Sequence, residues 1–109
     1  MPTPPDAVRD AVKQKIVQLV KMGEVDDAAR LAESEGLLEE AVQLYKQARD
    51  HRSRGRVLER LGQFEKALKV YEEGHLYELA AQLAEKLGQK EKAAAFYTKH
   101  WKSRPQLLR

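Results

Sequence analysis

Gly36, Gly62 and Gly88 are evenly spaced, and each opens the same short pattern. Five positions on comes an alanine (Ala41, Ala67, Ala93), and four further comes a tyrosine (Tyr45, Tyr71, Tyr97). An apolar residue precedes each tyrosine: Leu44, Val70 and Phe96. The three strings read GLLEEAVQLY, GQFEKALKVY and GQKEKAAAFY. A period of twenty-six marks a supersecondary unit stacked on its own copies, since one unit cannot bury its apolar face alone. Half-period punctuation is visible too. Gly23 lies half a period before Gly36, and Gly74 falls next to the midpoint between Gly62 and Gly88. GEVDDAARLA, from Gly23, keeps the alanine spacing but has Ala32 in the tyrosine place.

The unit reads as helix–turn–helix. A glycine adopts the left-handed conformation that ends a helix without a side-chain penalty. Ala41 and Tyr45, four apart, share one helical face. Twenty-six residues hold two helices of about ten residues each, with tight turns. Such helices do not persist alone in water, so packing must hold them, at about 1.5–3 kcal/mol per fully buried large side chain. Composition agrees: 14 Leu, 14 Ala and 8 Gln stand against 11 β-branched residues, a mixture that loses little rotamer freedom in a helix.

The chain of 109 residues is therefore expected to be one all-α domain of about seven short helices. Their expected spans are 4–22, 24–34, 37–49, 52–61, 63–73, 75–87 and 89–102. The first is a capping helix with Thr3 as N-cap, prolines in its first turn and a stripe of Val8, Val12, Ile16, Leu19 and Val20. Residues 23–48, 49–74 and 75–102 form three repeats. Ser103-Arg104-Pro105 stops the last helix and leaves 103–109 as a frayed tail.

These columns resemble the tetratricopeptide-like superfamily of α-solenoids. Gly62, Phe64, Ala67 and Tyr71 match its turn glycine, large apolar residue, small residue and aromatic; Gly36, Leu38, Ala41, Tyr45 and Ala48 match as well. Gly88, Ala93 and Tyr97 match with Lys90 departing, and the small residue of the first helix falls on Gly55 and Ala81. The period is shorter than the family's usual one, and its first-helix tryptophan is absent. Strings such as Leu83-Ala84-Glu85-Lys86-Leu87-Gly88 are also similar to clathrin, coatomer and intraflagellar solenoids. The resemblance implies a right-handed α-solenoid of antiparallel helical hairpins that serves as a protein-interaction scaffold. First helices then line a groove. In the first pair its positions are Asp26, Asp27, Arg30 and Glu33; in the second, Arg49, Arg52, Ser53, Arg56 and Arg60; in the third, Glu78, Leu79, Gln82 and Lys86.

Catalytic chemistry is poorly supplied. Ser34, Ser53, Ser103, Thr3 and Thr98 sit in no nucleophile turn and at no helical spacing to both a histidine and an acid. His51, His75 and His100 are isolated. Glu72 and His75 make one Glu-x-x-His pair, where a carboxylate-bridged metal site needs two pairs and two further glutamates. There is no cysteine and no phosphate-binding glycine loop. Neither enzymatic activity nor a cofactor is expected. No run approaches the roughly 20 apolar residues of a spanning helix, and the chain fits a cytoplasmic protein. The tyrosine column reads as inter-helix core rather than as a stacking platform for bases. Trp101, on the last helix, either caps the final unit or marks an exposed patch.

Charge is the sharpest surface feature. The net charge is +3, but residues 24–40 carry a local balance of −6 and residues 46–60 one of +4. Arg52, Arg56 and Arg60 follow i, i+4, i+8 and form a stripe that Arg49 extends by one turn. Arginine forks suit carboxylates and phosphates. Three readings stand side by side: a site for an acidic peptide or C-terminal carboxylate, neutralisation by the neighbouring acidic helix or a second copy of the chain, and nucleic-acid binding. The last lacks aromatic residues within the basic segment and faces an acidic neighbour. The expected partner is thus a protein or peptide, presenting an acidic or extended segment or a helix, bound through Arg30, Arg49, Arg52, Arg56, Arg60, Gln82 and Lys86. A self-assembling scaffold piece, stacked as a homo-oligomer, is the alternative for the chain as a whole.

Overall fold

A computed structural model describes residues 5–103. Among these residues there are seven helices and no strand: α1 (Pro5–Lys21), α2 (Val25–Ser34), α3 (Leu38–Gln47), α4 (His51–Arg60), α5 (Phe64–Glu73), α6 (Tyr77–Lys86) and α7 (Lys90–Lys102). The Thr3 cap, Pro4, the stop at Arg104-Pro105 and the tail lie outside the described residues. None of the seven helices is long and apolar enough to cross a membrane.

The repeat is stricter than the sequence spacing alone suggests. From α2 onward each helix begins thirteen positions after the last, and α2 to α6 all have ten residues followed by a three-residue link. Each link closes the same way. The residue at positions 23, 36, 49, 62, 75 and 88 has positive φ. Its N–H bonds to the carbonyl three residues back, and the next N–H bonds five back; for example Gly36 N to Glu33 O is 3.1 Å and Leu37 N to Ala32 O is 2.8 Å. These two bonds satisfy carbonyls that a helix C-terminus otherwise leaves open. Four of the six left-handed residues are glycine; the other two are Arg49 (φ 60°) and His75 (φ 58°).

Gly74 is therefore not the turn residue. It caps α5 at φ −85°, and a Cβ there would lie 2.6 Å from His51 Cβ. Its missing side chain admits the neighbouring helix, while His75 makes the turn. Gly55 has a similar role on α4, where a Cβ would overlap the Tyr71 ring.

Every helix packs chiefly on its neighbours in the chain, most closely within the pairs α2–α3, α4–α5 and α6–α7. The radius of gyration is 17.4 Å, against about 13 Å for a compact chain of similar length. Cross-links between alternate helices define two layers. Arg56 and Arg60 of α4 reach Glu33 of α2; Gln89, just before α7, and Lys99 of α7 reach Glu65 and Glu72 of α5.

The core consists of the repeat columns. Ala41, Ala67 and Ala93 are buried, as are Ala29, Gly55 and Ala81 on the first helices. Tyr45 and Tyr71 are buried and Tyr97 is half-buried. On α1, Ile16 is buried, with Val12, Leu19 and Val20 packed beside it. Val8, expected in the same stripe, is 48% exposed and lines an open cleft with Val12, Glu35 and Leu37. Trp101 is 55% exposed.

Candidate partner-binding groove

The tyrosine column does more than fill space. Tyr45 donates to Glu33 at 2.7 Å, Tyr71 to Glu59 at 2.5 Å, and Tyr97 to Glu85. Each bond crosses from the second helix of a pair to the last turn of the first, twelve positions earlier. The acceptors Glu33, Glu59 and Glu85 themselves recur at the repeat period. That column stands in the sequence three positions before each turn glycine, where a glutamate among many charged residues carries no packing signal of its own. Burial and then the Glu59 carboxylate push the Tyr71 hydroxyl well above its ordinary pKa; burial and Glu33 push Tyr45 the same way.

Above the first of these pairs the surface opens into a cavity of about 510 Å³ lined by Arg30, Glu33, Ser34, Tyr45, Asp50, Ser53, Arg56 and Arg60. It runs between α2 and α4, with Tyr45 from α3 at its edge. Glu33 is its central acceptor: besides Tyr45, it takes Arg56 at 2.7 Å and Arg60 at 3.3 Å, and its side chain is only 16% exposed. Burial alone would raise its pKa, but the Tyr45 hydroxyl and the two guanidinium groups outweigh that and hold the carboxyl below 4.5. Arg30 pairs with Asp27 one turn earlier on its own helix. Asp50 caps α4 by accepting from the Ser53 N–H at 3.1 Å.

A second cavity, of about 350 Å³, follows between α4 and α6, lined by Arg52, His75, Leu76, Tyr77, Glu78, Leu79, Gln82 and His100. Arg52 has no ion-pair partner among the described residues, and Lys99 of α7 lies 5.7 Å over the Tyr77 ring. Gln82 and Lys86 are exposed on α6.

The expected site residues therefore separate. Arg30, Arg56 and Arg60 share the first cavity; Arg52 and Gln82 line the second; Lys86 borders neither. Arg49 departs from the stripe. It occupies the left-handed turn position before the Asp50 cap, so the helical spacing that would align it with Arg52 is broken. The neutralisation reading also has a physical counterpart, since acidic α2 engages basic α4 through Glu33. Glu72 and His75 share no helical face, because His75 lies beyond the end of α5. The hydroxyls of Ser34, Thr98 and Ser103 donate back to carbonyls of their own turns.

Residues 53–74 and 74–105 match the model of the tetratricopeptide repeat family. The all-helical chain fits a tetratricopeptide-like helical repeat. Tetratricopeptide repeats generally mediate protein–protein interaction and are typically non-enzymatic. No curated protein and no solved structure matches the chain. Within this tetratricopeptide-like chain the matched segments cover α4 to α7, and α2–α3 carries the same turn and the same tyrosine–glutamate bond.

Proposed function

We propose that the chain is a non-enzymatic interaction module whose first helices, α2, α4 and α6, receive an extended acidic segment of a protein partner. The observation that carries this reading is the convergence of Arg30, Arg56 and Arg60 on one open cavity, with Arg52 heading the next. Planar guanidinium forks donate paired hydrogen bonds to carboxylates. Two successive cavities along one face suit a chain that runs across helices rather than a single small molecule. Nucleic acid is the weaker reading, because the basic segment 46–60 holds no Phe, Tyr or Trp on which a base could stack.

The test is a labelled ten-residue oligoglutamate titrated against the wild type and against Arg52→Glu combined with Arg56→Glu, read by fluorescence anisotropy. At least tenfold weaker binding by the double variant is expected, with helical circular dichroism retained. Equal affinity for both proteins overturns the proposal. An oligonucleotide of equal charge that binds more tightly than the peptide, with a steep salt dependence, would move the assignment to nucleic acid.

A further inference from the structure

The first cavity already holds a carboxylate of its own. Glu33 accepts from Tyr45 at 2.7 Å, Arg56 at 2.7 Å and Arg60 at 3.3 Å. An incoming aspartate or glutamate that displaced Glu33 would exchange one monoanion for another, strand the Tyr45 hydroxyl and order its own backbone at an entropic cost. One that left Glu33 in place would meet two guanidinium groups already sharing a negative charge, and a third, Arg30, paired with Asp27. A singly charged side chain therefore gains less from these guanidinium groups than a group with two charges would.

A phosphomonoester behaves differently. It carries close to two negative charges at neutral pH and three strong acceptor oxygens. Arg56 and Arg60 each keep N–H donors that Glu33 does not use, and a tetrahedral dianion can take them while Glu33 stays bonded to Tyr45. Arg30 lines the same cavity, and the Ser53 hydroxyl there has no partner among the described residues. About 510 Å³ leaves room for the group and for the chain that bears it. We infer that this cavity receives a phosphorylated serine or threonine side chain of the partner segment, and that Glu33 is the residue that makes the site discriminate against single charges. This rests on the reading of the α2–α4–α6 face as a peptide groove.

Three labelled ten-residue glycine–alanine peptides, differing only in a central serine, glutamate or phosphoserine, test the inference by fluorescence anisotropy. The phosphoserine peptide is expected to bind at least tenfold more tightly than the glutamate peptide. Glu33→Gln keeps an acceptor for Tyr45 and releases both arginines. It should raise affinity for the glutamate peptide at least fivefold and narrow the ratio. Glu59→Gln serves as the control: its carboxylate accepts from Tyr71 in the same manner but has no arginine within ion-pair distance among the described residues, and the ratio should not move. Inorganic phosphate at millimolar concentration should not displace the peptide. Equal affinity for glutamate and phosphoserine, or a ratio unchanged by Glu33→Gln, overturns the inference. Displacement by inorganic phosphate as efficient as by unlabelled peptide assigns the cavity to the free anion and overturns the peptide assignment. If oligoglutamate binds the wild type but phosphoserine adds nothing, the groove stands and the phosphoryl site falls; if neither binds, both fall.

Discussion

Arg49 and His75 hold a backbone conformation that costs an L-residue about 1–2 kcal/mol, at positions where the other four links use glycine. Arg49→Gly is therefore expected to stabilise the fold by about 1 kcal/mol, a rise of several degrees in the thermal midpoint, measured by circular dichroism melting. Gly55→Ala should act oppositely. Alanine is worth about 1 kcal/mol in a helix interior, but here the new methyl overlaps the Tyr71 ring, and overpacking of this kind costs about 1–3 kcal/mol. A net loss of stability is expected, and an unchanged or higher midpoint would show that Tyr71 can step aside. These positions also show what local pattern conveys. Gly23, Gly36, Gly62 and Gly88 announce their turns because the conformation favours glycine. At 49 and 75 the geometry is enforced by the links on either side, so the residue type carries no signal. Gly74, one position off, draws attention to the wrong residue, since its requirement is space for His51 rather than a turn.

Between helices, the Glu33 clamp couples α2 to α4 in a way that neither segment reveals alone. The arginine stripe and the acidic stretch are both plain in the sequence. That Arg56 and Arg60 converge on one carboxylate, which a tyrosine of α3 also holds, depends on crossing geometry and rotamers that spacing does not encode. The clamp makes stability depend on pH. The carboxyl of Glu33 is held below 4.5 in the fold, so its contribution is fully present above that value and is lost as the pH falls through the lower native one. Urea unfolding of the wild type and Glu33→Gln should differ by a constant amount above the ordinary glutamate range, and the difference should shrink as the pH falls below that range. A difference that does not change with pH down to full protonation of the carboxylates would assign it to packing instead. At the alkaline end the sign reverses for Tyr71, whose hydroxyl is held above its ordinary 10.0; its contribution is present below pH 10 and fades as the pH rises through the higher native value.

Across the whole molecule, packing is confined chiefly to neighbours in sequence, the condition under which stability becomes a sum over units and their interfaces. Terminal helices then have one neighbour where inner helices have two. Hydrogen exchange should accordingly be slowest in α3 to α5 and fastest in α1; uniform protection from α1 to α7 would mean that the array unfolds as one block. The all-helical architecture and the pairing of helices were readable from the recurring columns, because each column is a packing contact repeated three times. The elongated form is read from the 17.4 Å radius rather than from any single column.

The uniform ten-plus-three spacing has an arithmetical consequence for how such a chain can be lengthened or shortened. Excising or duplicating one whole period at a link returns every tyrosine opposite a glutamate twelve positions upstream. Doing the same with half a period keeps all turns intact yet swaps the layers, setting arginine-bearing helices where tyrosine-bearing partners belong. Growth by pairs is silent, and growth by halves scrambles the surface.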